Sequence, residues 1–144
     1  MRRRFKSPKQ AGYLLGYRSG LEERVQKELK SAGIKYQYEP FKIPYIVPVS
    51  KHTYTPDIVL ENGIIIELKG RLMAADRKKM VLVKEQHPEM DIRFVFSTPN
   101  AKLSKGSKTT FAMWAEKNGF PWAHNSIPES WSEEIKQTIF DINI

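Results

Sequence analysis

The sequence predicts an α/β fold in which helices flank a small mixed β-sheet. Segments with helical periodicity alternate with short apolar strands along most of the chain, and this order places helices on both faces of a sheet. The run Ile64, Ile65, Ile66 and Leu68 is apolar on both faces of its strand. We therefore expect this strand at the centre of the sheet, covered on each side.

The composition is that of one globular domain with a surplus of positive charge. The chain has 144 residues, no cysteine, and 24 Lys and Arg against 16 Asp and Glu, a net charge of +8. The lack of cysteine excludes disulfides, thiolate metal sites and cysteine nucleophiles. The charge favours a polyanionic partner, nucleic acid before an anionic membrane. No apolar run approaches the ~20 residues that span a bilayer.

Positive charge is concentrated at the start of the chain. The first ten residues carry it at Arg2, Arg3, Arg4, Lys6 and Lys9. We predict that residues 1–16 form a flexible basic arm and residues 17–144 a single domain. The alternative is a solvated tail that only aids solubility.

The first predicted elements are a helix and a strand. Leu21, Val25 and Leu29 form one apolar stripe, Ser19 starts the helix in a capping box, and Gly33 ends it, so the helix spans residues 19–32. Residues 34–38 alternate as a half-buried strand. Residues 41–49 contain two prolines, which cannot donate to a β-ladder, and are an edge strand or an extended connector.

The remaining elements follow the central strand. Strands are predicted at 57–60, 64–69 and 92–97, and helices at 74–87 and 109–118. After Pro121 the pattern weakens to a packed tail with a last short helix.

Acidic residues interrupt this apolar pattern at one place. Pro56-Asp57 is followed ten residues later by Glu67-Leu68-Lys69. Residues two apart on a strand point the same way, so Glu67 and Lys69 share a face and Leu68 points to the opposite layer. A central strand that breaks its own pattern marks a candidate functional site.

The loop between the two strands decides whether Asp57 joins them. A two-residue Asn62-Gly63 turn would direct Asp57 away from Glu67. A three-residue loop, Glu61-Asn62-Gly63, places Asp57 opposite Glu67, with Gly63 in the left-handed position typical of such loops. We predict the three-residue loop.

Paired carboxylates indicate a cation site. Asp57 and Glu67 side by side repel each other unless a cation lies between them, and oxygen ligands suit Mg²⁺ or Mn²⁺. With Lys69 to orient or help deprotonate water, or to neutralise charge on phosphorus, these parts suffice for metal-assisted phosphodiester hydrolysis. The alternative is a surface hairpin whose Glu and Lys face water. Glu22 is either only a helix-capping residue or a third carboxylate of the site.

The same residues resemble a known signature. Pro56-Asp57 with Glu67-x-Lys69 resembles the PD-(D/E)xK nuclease motif, and residues 18–131 resemble the endonuclease I family of T-odd bacteriophages. The matching runs are Arg18-Ser19-Gly20-Leu21-Glu22, Pro44-Tyr45, His52-Thr53-Tyr54-Thr55-Pro56-Asp57, Asn62-Gly63-Ile64, Glu67-x-Lys69-Gly70, Asp76-Arg77-Lys78-Lys79 and Glu85-Gln86-His87-Pro88-Glu89.

This resemblance implies a Holliday-junction resolvase that cuts four-way and other branched DNA with paired nicks. It implies Glu22, Asp57, Glu67 and Lys69 as catalytic residues. It implies Mg²⁺ or Mn²⁺, two ions per site, held by Asp57, Glu67, Glu22 and the Leu68 carbonyl. It also implies that the protein acts in the cytoplasm of a bacterium that hosts a phage or prophage.

The resemblance further implies a domain-swapped homodimer. Residues 17–42 would be the swapped helix and strand, 43–50 an extended bridge and 51–144 the catalytic core. Glu22 would then come from one subunit, and Asp57, Glu67 and Lys69 from the other. Prolines stiffen a spacer and so suit the bridge.

Basic side chains outside the acidic site are candidate DNA contacts. They are Arg77, Lys78, Lys79, Lys84, Lys102, Lys105 and Lys108, and His52 and Thr53, just before the Pro-Asp, are further candidates. The alternative is solvated surface, with His52 as a structural hydrogen-bond donor. Two other functions stay open, a nuclease for mismatched or linear DNA and a non-catalytic basic module that binds nucleic acid.

Overall fold

A computed structural model describes residues 20–47 and 49–135 of the chain. The helices are α1 (Gly20–Ser31), α2 (Ala74–Gln86), α3 (Phe111–Lys117) and α4 (Glu129–Glu133). The strands are β1 (Tyr36–Tyr38), β2 (Ile43–Val47), β3 (Ser50–Tyr54), β4 (Ile58–Leu60), β5 (Ile65–Lys69), β6 (Ile92–Phe96) and β7 (Trp122–His124). The predicted basic arm lies outside the described residues.

The main sheet is mixed and has five strands in the order β1-β4-β5-β6-β7. Strand β5 is central, antiparallel to β4 and parallel to β6. The predicted position of this strand is therefore confirmed. Its alternate residues enter the two separate cores, Ile65 on one face and Ile66 and Leu68 on the other.

Helices cover both faces of this sheet, as predicted. On one face, α2 and α3 pack through Met80, Val83 and Trp114 in a core that also contains Ile65. On the other face, the stripe of α1 packs against β4 and β5. Burial of these apolar stripes is the main favourable free energy of folding.

Helix α1 ends as its sequence predicts. Gly33 has φ of +68°, a conformation that costs glycine little. The Ile34 amide donates to the Leu29 carbonyl at 3.0 Å and the Gly33 amide to the Lys30 carbonyl at 3.1 Å, which is the Schellman pattern. The predicted N-cap, Ser19, lies outside the described residues.

Strands β2 and β3 form a separate two-stranded sheet. Ile43 pairs with Tyr54 and Val47 with Ser50. The proline-containing segment therefore forms a strand, but this strand does not belong to the main sheet. The sequence did not predict β3. The side chain of Gln86 ties this hairpin to α2, accepting from the Ile46 amide at 2.6 Å and donating to its carbonyl at 2.7 Å.

The end of the described chain contains a strand that was not predicted from the sequence. Strand β7 has three residues and pairs in parallel with β6, too short a stretch for alternation to be detected. The expected last helix is α4, which is anchored through Glu134. Buried Arg93 on β6 donates to both Glu134 and Asp91 and lies over the Trp131 ring.

The two remaining predicted helices are confirmed with small shifts at their ends. Helix α3 is shorter than predicted because Thr110 caps it, its side chain accepting from the Met113 amide. His87, expected at a helix terminus, is the C-cap of α2. Among residues 20–47 and 49–135, no helix combines the length and hydropathy that crossing a bilayer requires.

Candidate active site

The hairpin between β4 and β5 has the predicted three-residue loop. The Leu60 amide donates to the Ile64 carbonyl at 2.9 Å, and the Gly63 amide to the Leu60 carbonyl at 2.9 Å. Gly63 has φ of +91°, the left-handed position expected of the glycine. Ile58 pairs with Ile66, so the register places Asp57 opposite Glu67.

Asp57 lies just beyond the end of the hydrogen-bonded pairing between β4 and β5. It precedes the first residue of β4, is 4% exposed, and accepts the Leu68 amide through Oδ2 at 2.9 Å. A side-chain oxygen thus satisfies a buried strand amide. This bond fixes the carboxylate against the strand that carries Glu67 and Lys69.

Strand β1 brings a further carboxylate to Asp57 from the other side. Tyr38 pairs with Ile58, and the Glu39 amide donates to the Asp57 carbonyl at 3.1 Å. Glu39 was not predicted from the sequence, because only the pairing of β1 with β4 makes it a neighbour of Asp57. Its φ of +45°, rare for a residue other than glycine, is visible only in the structure.

Helix α1 contributes Glu22, which completes an acidic cluster. Glu22, Glu39 and Asp57 each offer one carboxylate oxygen, and these atoms all lie within 4.8 Å of one another. Glu22 is only 4% exposed and accepts the Tyr38 hydroxyl at 2.6 Å. It is therefore a buried member of this cluster, and more than a capping residue.

Glu67 and Lys69 occupy the face of β5 opposite Leu68, as predicted. Glu67 is 4% exposed and accepts the Tyr54 hydroxyl through Oε2 at 2.6 Å. The Lys69 Nζ atom lies 3.6 Å from Glu67 Oε1 and 3.4 Å from Asp76 Oδ1. Asp76 also accepts the Met73 amide at 3.1 Å at the start of α2, so this helix helps to place the lysine.

The electrostatics of the site keep Lys69 protonated. Burial lowers the pKa of its ammonium group, but Glu67, Asp76 and Asp57 together raise it by more, so the net pKa lies above 10.5. Lys69 therefore carries its charge at neutral pH. Lys69 interacts electrostatically with both Asp57 and Glu67, but the cluster with Glu22 and Glu39 contains Asp57 and not Glu67.

The donor set fits a hard divalent cation. Glu22, Glu39 and Asp57 supply oxygen only, the ligand type that Mg²⁺ and Mn²⁺ prefer. Oxygen ligands around Mg²⁺ lie at most about 4.2 Å apart, twice the ~2.1 Å bond length, and the three carboxylate oxygens already lie within 4.8 Å. These residues can hold such an ion with small side-chain movements.

The predicted contacts on α2 differ in their surroundings. Lys78 is exposed, and the Lys79 Nζ atom lies 5.6 Å from the centroid of the Tyr54 ring. Arg77 donates to the Leu72 carbonyl at 2.8 Å, and Lys84 donates to the Gly119 carbonyl at 3.2 Å. Arg77 and Lys84 thus already bind the backbone of this chain.

The other predicted DNA contacts lie at the surface. His52 and Thr53 are exposed on β3, and His52 Nε2 is 2.8 Å from Ser50 Oγ. The exposed lysines Lys102, Lys105 and Lys108 lie in the segment before α3.

The fold and the site together define a class of protein, the nucleases. An aspartate lies opposite a Glu-x-Lys strand at the centre of a mixed sheet, beside further carboxylates. Comparison with known proteins narrows this class, since a family model described as phage endonuclease I matches residues 4–143.

Two relatives agree with that match. The chain is 51% identical over 123 residues to Endonuclease I of Escherichia phage T7, covering 85% of this chain and 83% of the relative. It is equally identical over 123 residues to Endodeoxyribonuclease 1 of Enterobacteria phage T3, covering 81% of that protein. The chain belongs to the phage endonuclease I family and is an endonuclease, which confirms the resemblance found in its sequence.

Proposed function

We propose that this endonuclease acts on DNA and resolves four-way (Holliday) and other branched junctions by metal-assisted, paired nicking. The observation that carries the proposal is the lateral alignment of Glu39, just after β1, Asp57, just before β4, and Glu67 on β5, with Lys69 beside them. One relative is named an endodeoxyribonuclease, and the net charge of +8 suits a polyanion.

The carboxylates are the proposed ligands of Mg²⁺ or Mn²⁺, with two ions per site. Asp57 and Glu67 would share one ion with the Leu68 carbonyl, and Glu22 would help to hold the second. Glu39 joins this set because its oxygen lies within 4.8 Å of Glu22 and Asp57. Bound ions of this kind lower the pKa of a water ligand and stabilise negative charge on phosphate.

Lys69 is the proposed electrostatic partner of the phosphate. It is held between Glu67 and Asp76 and stays protonated because of its raised pKa. A fixed ammonium group next to the scissile phosphate stabilises the charge that develops in the transition state. The position of Lys69 between two carboxylates supports this electrostatic role.

Surface residues outside the acidic site are proposed to contact the DNA backbone. They are His52, Thr53, Lys78, Lys79, Lys102, Lys105 and Lys108. Backbone contacts position a protein without reading sequence, which suits recognition of a branched shape. Because Arg77 and Lys84 donate to backbone carbonyls of the chain, we propose that they mainly hold α2 in place.

The active form is proposed to be a domain-swapped homodimer in the cytoplasm of a phage-infected bacterium. In the single chain, α1 packs on the sheet that carries Asp57, and the β2–β3 hairpin spans the proposed bridge. Opening this hairpin would let residues 17–42 make the same contacts on a partner, since swapping exchanges identical elements. Paired sites would then account for paired nicks.

The test of this function is Glu67→Gln, which keeps the size of the side chain and removes its charge. We expect nicking of a four-way junction in Mg²⁺ to fall by ~100-fold or more, while junction binding without Mg²⁺ is retained. The matched control is Glu61→Gln, on the loop at the other end of the same strands, where the carboxylate pairs only loosely with Lys35 at 3.8 Å.

Each other outcome contradicts a specific part of the proposal. If the wild-type chain cleaves junctions and linear duplex at equal rates, it is a nuclease for linear or mismatched DNA and not a resolvase. Nicking by Glu67→Gln at the wild-type rate would remove Glu67 from the reaction. A chain that binds junctions but never nicks them with Mg²⁺ or Mn²⁺ would be the non-catalytic module.

A further inference from the structure

Tyr54 is a fully buried residue that the reaction described above does not use. It ends β3, three residues before Asp57, and has 0% of its surface exposed. Its hydroxyl donates to Glu67 Oε2 at 2.6 Å. A distance this short is typical of a hydroxyl that donates to an ionised carboxylate.

Glu67 needs such a donor because it is buried. Removing a carboxylate from water favours its neutral form unless hydrogen bonds or nearby cations stabilise the charge. The two oxygens of Glu67 have different neighbours, with Tyr54 at Oε2 and the Lys69 ammonium 3.6 Å from Oε1. The hydroxyl therefore supports the charge and also sets which oxygen faces the lysine.

The Tyr54 ring is held rigidly enough to act as an anchor. It belongs to the core that contains Ile43, Val59 and Ile65, and the Lys79 Nζ atom lies 5.6 Å from its centroid. Interiors are close-packed, so a side chain at this position has one orientation. The hydroxyl is thus presented to Glu67 from a fixed point outside β5.

We propose that Tyr54 is a positioning residue of the endonuclease, which fixes the Glu67 carboxylate so that Oε1 faces the metal-binding side of the site. This inference rests on the proposed function of Glu67 as a metal ligand. Carboxylates that bind metals are themselves held by hydrogen bonds, and loss of such a partner typically costs ~10- to 100-fold in metal affinity or activity. Tyr54 acts through Glu67 and touches no reacting atom.

The test is Tyr54→Phe, which keeps the ring in the core and removes only the hydroxyl. The matched control is Tyr36→Phe, which removes a hydroxyl that donates to Gln26 Oε1 at 3.1 Å outside the acidic site. Two quantities are compared: Mn²⁺ binding to the DNA-free protein by calorimetry, and the Mg²⁺ concentration that gives half-maximal nicking. We expect both to weaken ~10-fold or more in Tyr54→Phe and to stay at wild-type values in Tyr36→Phe.

The competing explanation is that Tyr54 only stabilises the fold. If Tyr54 instead orients Glu67, Tyr54→Phe should still melt cooperatively, and its nicking should recover at high Mn²⁺ concentration. The inference is overturned if Tyr54→Phe matches Tyr36→Phe in metal binding, or if its activity is lost together with cooperative melting and no metal concentration restores it.

Comparison with Glu67→Gln separates this inference from the proposed function. If Glu67→Gln binds Mn²⁺ and nicks like the wild type, the proposed function fails, and the inference fails with it. If Glu67→Gln loses both properties while Tyr54→Phe keeps them, only the positioning role of Tyr54 is wrong.

Discussion

At the scale of single residues, each buried carboxylate of the site has a specific partner. Glu22 accepts the Tyr38 hydroxyl, Glu67 accepts the Tyr54 hydroxyl, and Asp57 accepts the Leu68 amide. These bonds lower the cost of keeping acidic groups out of water. Lys69 adds a positive charge, and Glu67, Asp76 and Asp57 raise the pKa of its ammonium group.

The pKa of Lys69 gives a prediction for stability against pH. Because the folded pKa lies above the ordinary 10.5, the lysine charge stabilises the fold fully below about pH 10.5. That contribution is lost as pH rises through the folded pKa, since the folded state holds the proton longer than the unfolded state. We expect urea unfolding in EDTA, from about pH 9 to 12, to show the wild type losing stability relative to Lys69→Met.

Lys35→Met is the control for this measurement. Lys35 is 75% exposed and lies 3.8 Å from Glu61, an ion pair worth little in water. Lys35→Met should therefore change the free energy of unfolding little. Parallel pH profiles for wild type and Lys69→Met would contradict the raised pKa.

At the scale of elements, the β4–β5 hairpin sets the register of the site. The Asn62 side chain closes its loop, accepting the Ile64 amide at 3.2 Å and donating to the Trp131 carbonyl at 2.7 Å. The loop is therefore fixed both within the hairpin and against α4. Because side chains alternate along a strand, a register slip of one residue would direct Asp57 away from Glu67.

The loop glycine gives a prediction at this scale. Gly63→Ala forces a side chain into φ of +91°, and we expect a loss of roughly 1–2 kcal/mol in the free energy of unfolding. Gly70→Ala is the comparison, because its added Cβ would meet Ser97 Oγ at an ordinary 3.6 Å, and we expect it within about 1 kcal/mol of wild type. Equal stability of the two variants in urea would show that the loop does not need its left-handed residue.

At the scale of the whole molecule, α1 is the element that brings Glu22 to the site. It approaches from one face of the sheet, while the Tyr54 ring packs in the core on the other face. Glu22 therefore depends on the layer that contains α1, and the bond that holds Glu67 depends on the layer that contains Tyr54. In the proposed dimer, the layer with α1 would come from the partner.

A swapped dimer predicts complementation between two inactive variants. Glu22→Gln and Glu67→Gln, unfolded and refolded together, should form heterodimers in which one of the two composite sites is intact. Random assembly makes half of the dimers heterodimers, so about a quarter of the sites should nick DNA.

The control mixture combines Asp57→Asn with Glu67→Gln, two changes on the same side of the bridge, and should stay inactive. Light scattering should show a dimer in both mixtures. Failure of the first mixture to regain activity would contradict the swap and leave the site within one chain.

Much of the site was predictable from the sequence because its parts are local. Glu67, Leu68 and Lys69 share one strand, and Asp57 joins them through a hairpin whose loop length follows from the position of Gly63. Alternation along the strand and turn chemistry act over a few residues, so both predictions were confirmed. The long matching runs also predicted the family correctly.

Only the tertiary structure determined which residues of other elements lie next to the site residues. Glu39 reaches Asp57 because β1 pairs with β4, and Asp76 reaches Lys69 because α2 packs against the sheet. Tyr54 reaches Glu67 because it ends the β2–β3 hairpin, which lies outside the main sheet that carries Glu67. Sequence patterns fix which face of an element is apolar, but the choice of partner depends on how all those faces pack together.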